Sequence, residues 1–158
     1  MTFSDSLSIG EIGEHLIFEQ FGIRMISFEE DSDFQRSGAD GIRGALTHEI
    51  KTRTYETVRY WHNGPDMTIE TVSVREYNVP GWIYTSTADI LFYGILQQGK
   101  QGWLHLWRIR LPELQAWWQN VDVSKYPMKI ARTKDSHSTE NRIVPFADLP
   151  KRIVEKIV

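Results

Sequence analysis

The feature that most constrains the fold is an apolar run near the middle of the chain, DILFYGIL at positions 89–96. Beyond its first residue the run shows no alternation of apolar and charged positions, so neither face of such a strand is adapted to water. A continuous run of this length is typical of a strand buried on both faces. It predicts a sheet that other elements cover on both sides.

Periodic patterns around this run predict a mixed α/β domain built around one sheet. An apolar stripe at helical spacing over 8–21 begins with a capping box, Ser8 and Glu11, and stops at Gly22. The other predicted elements are strands at 23–28, 41–45, 48–53, 67–74, 89–96, 102–110 and 142–146, a loop at 55–66, a helical turn at 85–88, and helices at 111–120 and 148–158. No repeat, low-complexity tract or linker interrupts the pattern, which predicts a single domain over residues 1–158.

Composition narrows the class of function. The chain has no cysteine, which excludes disulfides, thiolate zinc sites and a cysteine nucleophile. Its net charge of −3 argues against a protein that coats nucleic acid by bulk charge, although a nuclease cleft can be basic locally. No apolar run reaches the ~20 residues of a membrane helix, and the N-terminus lacks a basic region followed by an apolar one. We therefore expect a cytoplasmic protein with no membrane partner.

Chemistry-bearing residues concentrate in the stretch GADGIRGALTHEIKTRT at 38–54, which predicts two strands joined by a tight turn. Side chains alternate along a strand, so Glu49 and Lys51 face one way and Ile50 faces the other. The hairpin would bring Asp40, at the start of the first strand, beside Glu49. Two carboxylates there suit a hard divalent ion such as magnesium, with the Ile50 carbonyl as a third ligand.

Two interpretations of this pattern are open. In the first, a bound ion and a neighbouring lysine serve phosphodiester hydrolysis, which needs a hydroxide nucleophile and stabilisation of the charge that grows on phosphate. In the second, Asp40, Glu49 and Lys51 form a cross-strand surface ion pair that contributes little. An acidic-x-Lys triplet alone does not separate them, because short motifs recur by chance.

The placement of Asp40, then Glu49-Ile50-Lys51, behind a helix that carries an acid resembles the PD-(D/E)xK nuclease superfamily. The stretch GEIGE at 10–14 is similar to the Gly-x-x-x-Glu of archaeal Holliday-junction resolvases, with Glu14 as the matching acid. Farther along, MTIETVS, GWIYTSTADILFYGI and LHLWRIRLPELQAWW are similar to phage- and mobile-element-borne members. Ala39 stands at a position where the motif carries proline, although that position varies widely in the superfamily.

This resemblance implies a restriction-endonuclease-like α/β domain, a central mixed β-sheet flanked by helices. It implies an endonuclease that hydrolyses DNA phosphodiester bonds, possible substrates including junctions, with Mg²⁺ as cofactor and Mn²⁺ as its substitute. Asp40, Glu49 and the Ile50 carbonyl would hold the ion. Lys51 would position the attacking water, and Glu14 would hold a further water or a second ion. A homodimer is left open, as is a non-catalytic nucleic-acid-binding or protein-interaction module on the same fold.

Other residues carry separate predictions. Glu70 is expected on a solvated face of its strand, with a position lining the cleft as the alternative. Asp89 is expected to cap a turn or start a strand, with a catalytic role as the alternative. Tyr60 and Trp61 either stack on an unpaired base or cover an edge of the core. Candidate phosphate contacts, each also explained as ordinary surface charge, are Arg53, Arg59, Arg75, Lys129, Arg132 and Lys134.

Overall fold

The computed structural model describes residues 8–25, 41–43, 46–133 and 135–158; for 24–25 and 41–43 it describes the backbone only. The helices are α1 (Ile9–Phe21), α2 (Trp82–Thr85) and α3 (Leu111–Asn120). The strands are β1 (Arg24–Met25), β2 (Gly41–Arg43), β3 (Leu46–Arg53), β4 (Asp66–Val74), β5 (Val79–Pro80), β6 (Ile90–Leu96), β7 (Trp103–Arg110), β8 (Met128–Arg132), β9 (Ser138–Pro145) and β10 (Val154–Lys156). The fold class is therefore mixed α/β.

These strands form two sheets, which differs from the expectation of one. The first sheet has the order β1-β2-β3-β6-β7-β10, and the second has the order β5-β4-β9-β8. Within the first sheet β3 and β6 run parallel, with Glu49 opposite Leu91 and Lys51 opposite Tyr93, while β2 and β3 pair antiparallel as predicted. The second sheet was missed because β4 pairs with β9 across a long stretch of sequence, and β8 was not predicted as a strand.

Strand β6 is buried on both faces, as its apolar run predicts. Phe92 and Leu96 pack into a cluster with residues of α1 on one face. Leu91, Tyr93 and Ile95 pack on the other face, into a cluster that includes residues of the second sheet. The parallel β3–β6 pair therefore lies between α1 and the second sheet.

Helix α1 begins and ends where its sequence indicates. The Ser8 hydroxyl accepts the Glu11 N–H at 3.3 Å, and the Glu11 carboxylate accepts the Ser8 N–H at 2.7 Å, which completes the capping box. Gly22 ends the helix in the left-handed region, with φ 62°, which favours glycine. Gly13 lies against β3 so closely that an added Cβ would overlap the Thr52 side chain.

Several predicted boundaries were wrong. The predicted helix at 148–158 is instead a 3₁₀ turn at Phe146–Asp148 followed by β10, which pairs with the edge of β7. Residues 55–66, predicted as a loop, begin with a 3₁₀ helix at Tyr55–Tyr60. The helical turn predicted at 85–88 lies earlier, as α2. For β10, pairing with a distant strand decides between local structures that the sequence alone leaves close in energy.

A hydrogen bond and aromatic packing join the two sheets. The Tyr93 hydroxyl on β6 accepts the Thr68 N–H of β4 at 3.0 Å. Trp107 on β7 stacks on Phe146, just after β9, with ring centroids 3.9 Å apart. These contacts hold β4 against the face of the first sheet that carries Glu49 and Lys51.

The contact between α1 and β3 gives a stability prediction. Gly13→Ala should cost about 1–3 kcal/mol, because the new methyl group overlaps Thr52 and forces the helix away from the strand. Gly10→Ala is the matched control: its Cβ would meet nothing closer than 4.0 Å, so better helix propensity should stabilise by about 0.5–1 kcal/mol. Urea unfolding measures both, and equal effects would contradict the close packing.

A second prediction concerns acid unfolding. The Glu76 carboxylate accepts the Ser138 N–H at 3.0 Å and its hydroxyl at 2.7 Å, and these bonds lower the pKa of Glu76 to about 2. Because the folded-state pKa is lowered, this stabilisation is present above the ordinary pKa of 4.5 and is lost as pH falls through about 2. Glu76→Gln should therefore lower the thermal midpoint at pH 7, and its deficit should shrink progressively below pH 4.5.

Glu19→Gln, on the exposed side of α1, is the control for this charge change. It should leave the pH dependence of the midpoint close to that of the unmodified chain. A deficit for Glu76→Gln that stays constant down to pH 2 would show that the carboxylate charge is not what the Ser138 bonds stabilise.

Candidate active site

Strand β3 presents two chemically different faces. Ile50 packs with Ile12 and Ile17 of α1, and Thr52 lies against Gly13, so this face belongs to the helix side. Lys51 points to the other side, where its Nζ lies 6.0 Å from the centre of the Trp82 ring. The predicted alternation across Ile50 is confirmed.

Glu49 and Lys51 form a direct ion pair on the face toward the second sheet. Lys51 Nζ lies 2.6 Å from Glu49 Oε1, with side-chain exposures of 28% for the lysine and 4% for the glutamate. A carboxylate this buried does not fit the surface-pair interpretation. Within the described residues, Glu49 Oε2 is buried and has no hydrogen-bond partner. The carboxylate therefore keeps one oxygen free to bind a further cation or proton donor.

Glu70, on β4, lies near the Glu49–Lys51 ion pair. This corrects the expectation that it lies on a solvated face. It is half-buried, and its carboxylate accepts the Trp82 N–H. Burial raises the pKa of Glu70 and the nearby Glu49 charge adds to the rise, whereas Lys51, the Trp82 N–H and Arg53 oppose it. No local signal identifies this residue, because Lys51 comes close to it only through packing of the two sheets, and Trp82 only because α2 begins against β4.

The other predicted site residues have different positions. Asp40 lies outside the described residues, but Gly41, which follows it in sequence, pairs with His48. Glu14 is half-buried on α1. The preceding residue, Gly13, packs against Thr52, so α1 lies on the opposite face of β3 from Glu49. The structure brings Glu49 and Lys51 together and does not bring the helix of Glu14 to their face.

Asp89 has a structural role, as expected. Its Oδ2 accepts the Thr47 N–H at 2.9 Å and the Thr47 hydroxyl at 3.1 Å. Its own N–H donates to the Thr47 carbonyl at 3.0 Å. These bonds join the start of β6 to the start of β3 and so set the register that places Lys51 beside Tyr93.

The site offers two carboxylates to a hard divalent cation, fewer than a complete set of protein ligands. Carboxylate oxygens are the ligands that magnesium prefers, and the ion commonly takes only one or two of them, with water and phosphate filling the other positions. Glu49 and Glu70 supply two carboxylates, and Glu49 Oε2 has no partner in the described part of the chain. Among the described residues no three acidic or histidine side chains form a group able to hold a metal ion.

The structure also shows the surroundings of most residues predicted to contact phosphate or stack on a base. Arg75 pairs with Glu140 at 3.7 Å, and Arg59 pairs with Glu56 on the exposed 3₁₀ helix. Tyr60 is 66% exposed, which leaves its ring free for stacking. Trp61 instead packs against His105 and Trp107, so it covers an edge of the core. Lys129 and Arg132 lie on the edge strand β8, and Lys134 lies outside the described residues.

Neither protein-family models nor curated proteins match the chain. In the parts of the chain that the structure describes, no helix is long and apolar enough to cross a membrane.

The buried ion pair gives a prediction about stability. Lys51→Met should destabilise by about 1–3 kcal/mol at pH 7, because it leaves the Glu49 carboxylate buried without its partner. The double variant Glu49→Gln/Lys51→Met should cost less than the two single variants added together, by about 0.5–2 kcal/mol. Urea unfolding of all four proteins completes the cycle, and additive costs would mean that the two side chains do not stabilise each other.

Proposed function

We propose that this chain is a metal-dependent endonuclease that hydrolyses DNA phosphodiester bonds on a restriction-endonuclease-like fold. The observation that supports it most is the buried Glu49, with Lys51 Nζ 2.6 Å from one carboxylate oxygen and the other oxygen unpartnered among the described residues. A buried carboxylate is costly unless a cation compensates it. Binding of a divalent ion would explain why the chain keeps a carboxylate buried at this position.

Each residue of the site has a distinct proposed task. A divalent ion bound there would activate water and neutralise charge on the phosphate. Glu49, together with Asp40 and the Ile50 carbonyl, would hold the ion. Lys51 would orient the attacking water and hold the scissile phosphate through its ammonium group. The assistance of Glu14 stays a prediction, to be tested separately because α1 packs on the other face of β3.

The surroundings of Lys51 fit this task. Its side chain is 28% exposed, so a substrate phosphate can approach the ammonium group while the carboxylate beneath it stays buried. The Trp82 ring, 6.0 Å from Nζ, restricts where the ammonium lies. A cation held in one place is a better electrostatic catalyst than one that has to be ordered during the reaction.

The order of elements around the site also supports the proposal. A capped helix precedes the antiparallel β2–β3 pair, and β6 then lies parallel beside β3. The Glu-x-Lys triplet therefore lies on β3, next to the buried strand β6. Branched DNA is the substrate class that the resolvase-like helix favours, and a homodimer would pair two sites on it.

One observation favours a second candidate, a non-catalytic nucleic-acid-binding or protein-interaction module. Glu49 and Lys51 already compensate each other's charge through their direct contact, without any ion. A domain that had lost catalysis could keep such a pair for stability alone. Cleavage and ion dependence distinguish the two functions.

The test of the nuclease is a cleavage assay. Labelled branched, single-stranded and linear duplex DNAs are incubated with the purified chain in Mg²⁺, Mn²⁺ or Ca²⁺. Cleavage should require Mg²⁺ or Mn²⁺ and should fall about 100-fold or more in Lys51→Gln, because the variant loses the charge that stabilises the phosphate. Glu49→Gln should fall at least as far.

Two matched variants control for the loss of charge. Lys100→Gln, in the exposed turn after β6, and Glu155→Gln, on the edge strand β10, should cleave at the unmodified rate. Circular dichroism should show each variant folded. Cleavage that persists in Lys51→Gln would reject the assigned site, and no cleavage of any DNA by the unmodified chain would favour the non-catalytic module.

A further inference from the structure

We propose that Glu70 is the second carboxylate of the cation site, contributed by the second sheet, so that a divalent ion binds between the two sheets. This inference rests on the proposed function and extends it to a residue outside the Asp40, Glu49 and Lys51 pattern. The ligand class is a hard divalent cation, Mg²⁺ or Mn²⁺, which prefers carboxylate oxygens.

The backbone around Glu70 is held by close packing. The Gly81 N–H donates to the Thr71 carbonyl at 2.9 Å, and an added Cβ at Gly81 would overlap the Glu70 carbonyl. Helix α2 therefore begins directly against β4, and the Trp82 N–H that follows donates to the Glu70 carboxylate. The position of this carboxylate is set by two elements, as a metal ligand requires.

Lys51 connects Glu70 to Glu49. Its Nζ contacts Glu49 Oε1 at 2.6 Å and lies over the ring of Trp82, the residue whose N–H binds Glu70. Glu70 is close enough to both Lys51 and Glu49 to interact with their charges. Lys51 contacts Glu49 and lies near Trp82, which follows the Gly81 that packs on the Glu70 backbone. The two glutamates therefore face the same region, one from each sheet.

The free oxygen of Glu49 is the independent observation that points to a ligand there. Glu49 is 3% exposed, and the described residues provide no hydrogen-bond partner for its Oε2. An unpaired buried oxygen of this kind is costly, and a second carboxylate nearby adds repulsion. A divalent cation between Glu49 and Glu70 would relieve both costs.

A purely structural role for Glu70 makes a different prediction. If the side chain only accepts the Trp82 N–H, a glutamine does this equally well, because its amide oxygen is also an acceptor. A negative charge is not needed for that hydrogen bond, but it is needed to bind a divalent cation. Glu70→Gln therefore separates the two roles while it keeps the size of the side chain and the hydrogen bond.

The experiment is calorimetric titration of Mn²⁺ into the purified chain without DNA. The unmodified chain should bind Mn²⁺, and Glu70→Gln should weaken the affinity on the order of 10- to 100-fold. Glu70→Asp keeps the charge on a side chain shorter by one methylene, and it should bind Mn²⁺ more tightly than Glu70→Gln but less tightly than the unmodified chain. Glu140→Gln is the matched control in the same sheet, because Glu140 is also part-buried and pairs with Arg75; it should leave the affinity unchanged.

The outcomes separate this inference from the proposed function. If Glu49→Gln loses Mn²⁺ binding while Glu70→Gln retains it, the inference is overturned and the proposed site stands. If the unmodified chain binds no Mn²⁺, both are overturned. Should Glu70→Gln fail to fold, Glu70→Asp decides alone: weaker binding supports the inference, and unchanged binding overturns it.

Discussion

The rest of the structure depends on the parallel pairing of β3 with β6. Both strands carry apolar side chains toward α1, and β6 also carries them toward the second sheet, so the pair is stable only when both layers are in place. Asp89 joins the starts of the two strands through Thr47 and thereby sets their register. A shift by one residue would exchange the faces of Glu49 and Ile50 and place a carboxylate against α1.

This constraint explains why the candidate site is buried. The second sheet packs on the face of β3 that carries Glu49, and this packing removes the carboxylate from water. The chain compensates with Lys51 on the same strand face, the arrangement that β alternation makes available at the shortest sequence distance. The same packing brings Glu70 and the Trp82 N–H to the site from a different part of the chain. The sheet that stabilises the core therefore also determines which charged groups meet at the candidate site.

Sequence patterns predicted some elements closely and missed others. The capping box at Ser8, the left-handed Gly22 and the proline in the first turn of α3 are local signals, and both helices have the predicted bounds to within a residue. The predicted C-terminal helix was wrong because β10 is stabilised by pairing with β7, about 45 residues earlier in sequence. The partner of β4 is farther away still, so no local periodicity indicates the second sheet.

For the site, the amino-acid sequence by itself determined that Glu49 and Lys51 share a face, because alternation along a strand is a local property of the backbone. It also determined that β6 is buried on both sides, because its apolar run leaves no face suited to water. Only the tertiary structure decided that Glu49 is out of contact with water, that Glu70 is close enough for the two charges to interact, and that α1 is on the opposite face of β3. Burial and proximity of charges depend on which sheet packs against which face, and that is settled by contacts between segments far apart in the chain.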